Sequence, residues 1–215
     1  MKKYNLSHLE KVKIIYYGSP LEGKRIQNKT EEQNGKHILF VGNVKPHKNI
    51  RRLVAAYKIL REKYGVSLPL LIAGEYKNFR TGIPGFEEEI NKSTLRKSIK
   101  FTGKISDDEL YELYREASVL VLPSLYEGFG LPPLEAMSFG CPVVVSKAAS
   151  LPEVCGEAAL YIDPLNIEDI ADKINQVLTD GLLRKALINK GFARLKKYSW
   201  KKAADEYIQQ FRSII

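Results

Sequence analysis

The sequence predicts an α/β domain organised around a doubly wound parallel sheet, and two observations carry that expectation. Short β-branched runs alternate with segments whose apolar residues recur at helical spacing. The runs are apolar nearly throughout instead of alternating with polar residues, the pattern of strands covered by helices on both faces. Strand and helix in strict alternation imply parallel pairing through right-handed crossovers.

The chain opens with "KVKIIYYG" (11–18), a candidate strand, followed by the polar, turn-rich connector "SPLEGKRIQNKTEEQNG" (19–35). The expected strands are then His37 to Gly42, Leu68 to Gly74, Ile99 to Gly103, Ser118 to Pro123 and Pro142 to Ser146, with Ala159 to Pro164 as a sixth. Between them Ile50, Leu53, Val54 and Tyr57 mark one helix, and Leu110, Leu113, Tyr114 and Ala117 a second. Ile167, Ile170, Ala171 and Ile174 mark a third. Ser106 and Glu109 stand at capping-box spacing ahead of the second helix and specify its start. In the final stretch Trp200, Ala203, Ala204, Tyr207 and Phe211 share one helical face, which needs something to pack on. The resulting division is a segment and connector over 1–35, a principal domain over 36–198 and a C-terminal helix over 199–215.

At 215 residues the chain is long enough for one well-packed domain with appendages. Hydrophobic residues at 44% and charged residues at 27% match a globular protein and not a disordered or membrane-embedded one. No apolar run approaches the span of a bilayer, and "MKKYNLSHLEKVK" lacks the apolar segment of a secretory signal, so a cytoplasmic location is expected. Cys141 and Cys155 read as reduced, buried thiols, and no spacing of Cys with His8, His37 or His47 indicates a metal site. Lys and Arg exceed Asp and Glu by 34 to 25, a net +9 that suits either a solvated surface or an anionic partner such as phosphate, nucleic acid or a membrane surface.

In sheets of this kind ligands bind beyond the carboxyl ends of the strands, so the loops after Gly42, Gly74, Gly103 and Pro123 are the ones that carry chemistry. The stretch "PSLYEGFGLPPLEAM" (123–137) leaves such an end and enters a helix near Pro132, where a proline suits the first turn. The amides of Gly130 and Leu131 are then unpaired at the positive end of a helix dipole, which suits a phosphate or pyrophosphate. Gly128 and Gly130 remove side chains that would block its approach. Glu127 before the glycines and Glu135 one turn into the helix can face one crevice and accept from vicinal hydroxyls of a ribose or a hexose. Taken singly, Glu135 reads as a first-turn acid and Glu127 as a solvated loop charge. In "GNVKPHKNI" (42–50), Lys48 enters a helix start, where a cation needs a reason such as a bound diphosphate, while His47 reads as a turn residue that helps cap the helix.

With these loops the sequence resembles the nucleotide-sugar-binding half of the retaining glycosyltransferases of family 4 (group 1), whose two-domain fold is called GT-B. Four blocks carry the resemblance in order: "FVGNVKPHKNI", "LLIAGE", "IKFTGKISDDELYELYREASVLVLPSLYEGFGLPPLEAM" and "GCPVVVSKAASLPEVCGEAALYIDP". At its centre stand the family's two glutamates separated by seven residues, here Glu127 and Glu135. The resemblance implies a Rossmann-like donor-binding domain with a C-terminal crossover helix. It implies that Glu127 contacts the donor sugar, Glu135 the ribose, and Gly128, Phe129, Gly130 and Leu131 the sugar and diphosphate. Lys48 matches the family's phosphate-binding lysine, and together with Glu127 forms the implied catalytic pair. Gly42 and Gly74 belong to the donor loops, and Asn43 stands where many members carry an arginine. The loop near Lys104 and Ile105 would lie against the nucleobase.

The implied reaction is transfer of a hexose from a nucleoside diphosphate sugar to a glycan or lipid-linked acceptor with retention, without a cofactor or an essential metal. The "KPHKN" loop tilts the donor toward GDP-mannose. The family's acceptor-binding domain has no counterpart here, so the expected partners are such a domain or a second polypeptide, with peripheral contact at the inner membrane face and no nucleic acid. Alone, the chain is expected to bind donor and transfer little or nothing. A noncatalytic nucleotide-sugar-binding subunit is the alternative. A nicotinamide enzyme lacks its Gly-x-Gly-x-x-Gly turn after Gly42, a glycoside hydrolase has no use for a phosphate loop between its acids, and a nucleic-acid binder would rest on charge alone.

Overall fold

The computed structural model describes residues 12–19, 35–76 and 82–213. Most of the connector expected over 19–35 lies outside the described residues. Six strands, β1 (His37–Val41), β2 (Leu70–Ala73), β3 (Ile99–Gly103), β4 (Ala117–Leu122), β5 (Val143–Ser146) and β6 (Ala159–Ile162), form one sheet. Their order is β3-β2-β1-β4-β5-β6, with every neighbouring pair parallel. The chain winds outward from β1 to β3, then returns to the other side of β1 as β4 and winds outward again. The loops leaving β1 and β4 therefore diverge from adjacent strand ends and leave a crevice between them.

The β-branched runs sit where the burial is greatest. All six residues of β4 and all four of β5 are buried, as are the first four of β1. The edges depart from the expectation of strands buried on both faces: in β3 only Ile99 is buried, and in β6 only the two end residues are. An edge strand of a doubly wound sheet has one neighbour and incomplete helix cover, so its middle residues stay half-exposed.

Helices α1 (Ile50–Glu62), α3 (Asp107–Glu116), α4 (Leu131–Ser138), α6 (Ile167–Thr179) and α8 (Trp200–Arg212) match sequence expectations. The apolar stripes of α1 and α6 face the sheet, with Ile50, Leu53 and Tyr57 buried on one and Ile170, Ala171 and Ile174 on the other. The capping box at the start of α3 forms in full, Ser106 accepting from the Glu109 amide and Glu109 from the Ser106 amide. Ala117, assigned above to that helix, is extended and opens β4 instead. Three helices had no clear apolar stripe to announce them: α2 (Phe86–Lys92), α5 (Leu151–Cys155) and α7 (Gly181–Leu195). In α7 only Leu187 and Gly191 are buried, and Gly191 is pressed close to Met137 of α4.

The strand expected over 11–18 does not form. Residues 12–19 pair with no strand among the described residues and are held by aromatic side chains. The Tyr17 ring packs on Phe129 at 5.2 Å and on Trp200 at 5.9 Å, Tyr16 donates its hydroxyl to Glu153, and the Ser19 amide donates to the Tyr198 carbonyl. The apolar face of α8 is mostly uncovered: Ala203 is buried, while Trp200, Tyr207, Ile208 and Phe211 are 45–63% exposed.

Close approach of two strand ends fixes one glycine. Gly74 has φ +137°, and a side-chain carbon there would lie 2.6 Å from the Gly42 carbonyl oxygen. Gly74→Ala is expected to cost about 3 kcal/mol or prevent folding, since backbone on both sides must move. Gly65→Ala, also at positive φ (+66°) but in open space, should cost only about 1 kcal/mol. Urea denaturation of the two variants checks the difference.

Candidate functional site

The crevice at the β1/β4 reversal is built by the loops at 42–49 and 123–130. Proline at 46 opens a 3₁₀ turn, Pro46–Lys48, and Asn49 follows in the left-handed conformation at φ 58°, which a short carboxamide tolerates better than most side chains. Asn49 is 5% exposed. Its Nδ2 donates to the carbonyls of Pro123 (3.0 Å) and Pro164 (2.6 Å), and its Oδ1 accepts from Arg52 (3.0 Å). One side chain thus ties the exits of β4 and β6 to the start of α1. The Leu125 amide donates to the His47 carbonyl at 2.8 Å, a second tie between the two loops. His47 itself is exposed, and α1 has no side-chain cap, so the capping role expected for His47 is not filled.

Clamped in this way, Lys48 meets Glu127. Nζ lies 2.7 Å from Oε1 and 2.9 Å from Oε2, with the two side chains 16% and 10% exposed. Ser124 Oγ donates to the same Oε1 at 2.7 Å. The lysine stem lies over Gly42, where a side-chain carbon would be 3.5 Å from Cε. The unfavourable position of Lys48 near a helix start is offset by this carboxylate. The loop backbone is pinned from behind, with Ser150 Oγ donating to the carbonyls of Glu127 (3.0 Å) and Phe129 (2.7 Å), and Ser146 Oγ donating to that of Ser124.

Gly130 is the N-cap of α4 at φ +112° with no side-chain cap. Pro132 and Pro133 carry no N–H, so the first turn presents only the Gly130 and Leu131 amides, and neither donates to a protein acceptor among the described residues. A side-chain carbon at Gly130 would meet Leu151 of α5 at 3.0 Å, whereas Gly128 faces open space. Glycine at 130 thus answers to backbone conformation and packing, and only Gly128 keeps space clear in the way the sequence reading proposed for both. The Phe129 ring is turned away into a cluster with Tyr17 and Tyr198 (5.8 Å), leaving its backbone to the loop.

Glu135 points the other way along α4. Tyr114 of α3 donates its hydroxyl to Oε2 at 2.6 Å. Burial raises the Glu135 pKa above its ordinary value; the Tyr114 bond opposes the shift and the charge of Asp107 adds to it. Burial also pushes the Tyr114 hydroxyl well up, so it stays a donor. The two glutamates therefore have different settings, Glu127 beside Lys48 and Glu135 beside Tyr114 of α3. An open pocket of about 390 Å³ at the ends of β1, β2 and β3 gathers Gly42, Asn43, Gly74, Lys104 and Ile105. Asn43 is engaged within it, its Oδ1 accepting from the Glu75 amide at 3.1 Å. Asn49, Ser124, Tyr114 and Ser150 were not marked from the sequence; the closeness of Ser124 to Glu127 along the chain was the one signal available. Among the described residues no group of His, Cys, Asp and Glu is arranged to hold a metal ion, and no helix is long and apolar enough to cross a membrane.

A six-stranded parallel sheet with this order, flanked by helices, is the Rossmann-like domain of the GT-B fold. A family model described as glycosyl transferases group 1 matches residues 23–194, and the chain belongs to that family. It is 37% identical over 176 residues to the O-antigen chain mannosyltransferase B of Escherichia coli, covering 82% of this chain and 45% of that protein. It is 33% identical over 186 residues to the O-antigen chain mannosyltransferase RfbU of Salmonella typhimurium, covering 81% of this chain and 49% of that one. Among solved structures, the sucrose-phosphate synthase of Thermosynechococcus elongatus superposes with a TM-score of 0.73 at 28% identity, over 85% of this chain and 46% of that one. The chain thus spans about half the length of these relatives.

Two outcomes follow from the site's geometry. Asn49→Ala removes two buried donors and places a side chain poorly suited to positive φ, so a loss of about 2–4 kcal/mol is expected by urea denaturation, with Asn49→Gly losing less. Because the folded-state pKa of Glu135 lies above the reference of 4.5, folding favours its protonated form. That contribution is full below the unfolded-state pKa and is lost as pH rises through the folded-state value. Glu135→Gln, neutral throughout, should flatten the decline in stability above pH 4.5; an unchanged stability–pH curve would contradict the assignment.

Proposed function

We propose that the chain is the donor-binding part of a retaining glycosyltransferase, which transfers a hexose from a nucleoside diphosphate sugar to a glycan or lipid-linked acceptor. The observation that carries this reading is that the loop after β4 holds Glu127 against Lys48 of the loop after β1 and then leads into the uncapped start of α4 at Gly130 and Leu131. Lys48 and these amides oppose the negative charge that develops on the departing diphosphate, a preorganised electrostatic contribution. Glu127 accepts from hydroxyls of the donor sugar, and Glu135 from the ribose. The backbone near Lys104 and Ile105 lies along the nucleobase in the open pocket. The names of the Escherichia coli and Salmonella relatives support mannose as the sugar, and the "KPHKN" loop inclines the donor to GDP-mannose.

In this reading an acceptor-binding domain or second polypeptide completes the enzyme, and it covers the exposed aromatic face of α8 and residues 12–17. The half-length match to the relatives and the exposed Tyr207, Ile208 and Phe211 support that arrangement. The net charge of +9 supports peripheral contact with the anionic inner face of a membrane. The second reading, a noncatalytic nucleotide-sugar-binding subunit, is favoured by the same half-length match.

Calorimetric titration with GDP, UDP and ADP sugars tests the proposal. Binding of one donor is expected, with turnover only after an acceptor-binding partner is added; tight binding without turnover in any combination favours the noncatalytic subunit. Lys48→Ala is expected to weaken donor affinity by roughly tenfold or more, about 1.4 kcal/mol. Glu135→Ala should weaken the nucleotide with and without its sugar. Unchanged affinities would remove both roles.

A further inference from the structure

We infer that the Lys48–Glu127 ion pair makes this site discriminate a nucleoside diphosphate that still carries its sugar from one that has lost it, with Glu127 as the selecting residue. The inference rests on the donor-site reading above and extends it from the donor to the spent nucleotide.

In the structure the ammonium of Lys48 is already occupied. It lies within 2.9 Å of both oxygens of Glu127, and Ser124 adds a third contact to the same carboxylate. With the side chains 16% and 10% exposed, the pair is weakly screened by solvent. A diphosphate oxygen that accepts from Lys48 Nζ shares that nitrogen with Glu127, so the two anions come within roughly 6 Å of each other at ordinary hydrogen-bond lengths. Like charges at such range in a partly desolvated crevice repel. Ser124 holds the carboxylate itself, and the backbone that carries it is pinned, with Ser150 holding the carbonyls on both sides of Gly128, Ser146 holding Ser124 and Asn49 holding Pro123.

The two ligands meet this carboxylate differently. A free nucleoside diphosphate competes with Glu127 for Lys48 and brings its full terminal charge against it, with nothing to offer the carboxylate in return. The sugar ester carries one ionisable oxygen fewer on that phosphate and presents hydroxyl donors. Glu127 then exchanges an ammonium for hydroxyls, an arrangement in which every anion has donors. Glu127 therefore lowers affinity for the spent nucleotide and raises it for the loaded one, which favours release once the sugar has left.

The test is a calorimetric comparison of the wild-type chain with Glu127→Gln and Glu127→Ala, using GDP, UDP and ADP, each alone and as its hexose ester. Both variants are expected to bind the free diphosphate roughly three- to tenfold tighter and the ester several-fold weaker, so that the preference for the ester falls or reverses. A merely structural role for Glu127 would weaken both ligands together, and that result overturns the inference. Unchanged or weaker diphosphate binding in both variants overturns it as well, while leaving the donor-site reading intact if the wild type binds. A wild type that binds none of the nucleotides overturns the donor-site reading and this inference with it.

Discussion

A buried carboxamide, seconded by the backbone bond from Leu125 to His47, holds the crevice together. Parallel strands β1 and β4 lie side by side, but the segments leaving them run in opposite directions around the sheet, and nothing in the backbone pairing obliges their loops to meet. Asn49 supplies a constraint by donating to Pro123 and Pro164 from the residue that precedes α1. Proline carbonyls are natural partners here, since those residues have no N–H of their own and interrupt the strands where the loops begin. With that clamp in place Lys48 stands opposite Glu127. Without it the two loops would be joined there by the Leu125–His47 bond alone, and the ion pair would carry a larger ordering cost.

The start of α4 is shaped by subtraction as much as by addition. Pro132 and Pro133 remove two of the donors that a helix end ordinarily presents, so Gly130 and Leu131 supply the only backbone N–H groups of that first turn. Lys48 comes from a separate loop and is held by an acid, so its charge is balanced within the protein. Glu135, by contrast, is tied to Tyr114 and draws its character from burial. Two acids with seven residues between them thus differ in setting because one faces a lysine and the other a phenol.

Much of this was legible in the sequence. The strand runs of β1, β2, β4 and β5, the stripes of α1 and α6 and the capping box of α3 are local signals that tertiary packing reinforced. The loops were legible because glycine, proline and charge accumulate there in patterns that ordinary turns do not need. What stayed hidden depends on contacts between distant segments. Asn49 looks like any turn asparagine until Pro164, over a hundred residues away, arrives beside it. Segment 12–19 reads as a strand because it is apolar and β-branched, yet its aromatic rings find Phe129, Trp200 and Tyr198 before its backbone finds a neighbour. Helix α7 was missed because its buried positions are too few to make a stripe.

The contact between Gly18 and Trp200 has a mechanical consequence. A side-chain carbon at Gly18 would fall 2.3 Å from the indole, so the segments before and after the sheet lie in direct contact, far apart in the sequence but adjacent in space. A residue larger than glycine at 18 would wedge them apart and disturb the Tyr17 packing on Trp200 and the Ser19–Tyr198 bond beside it.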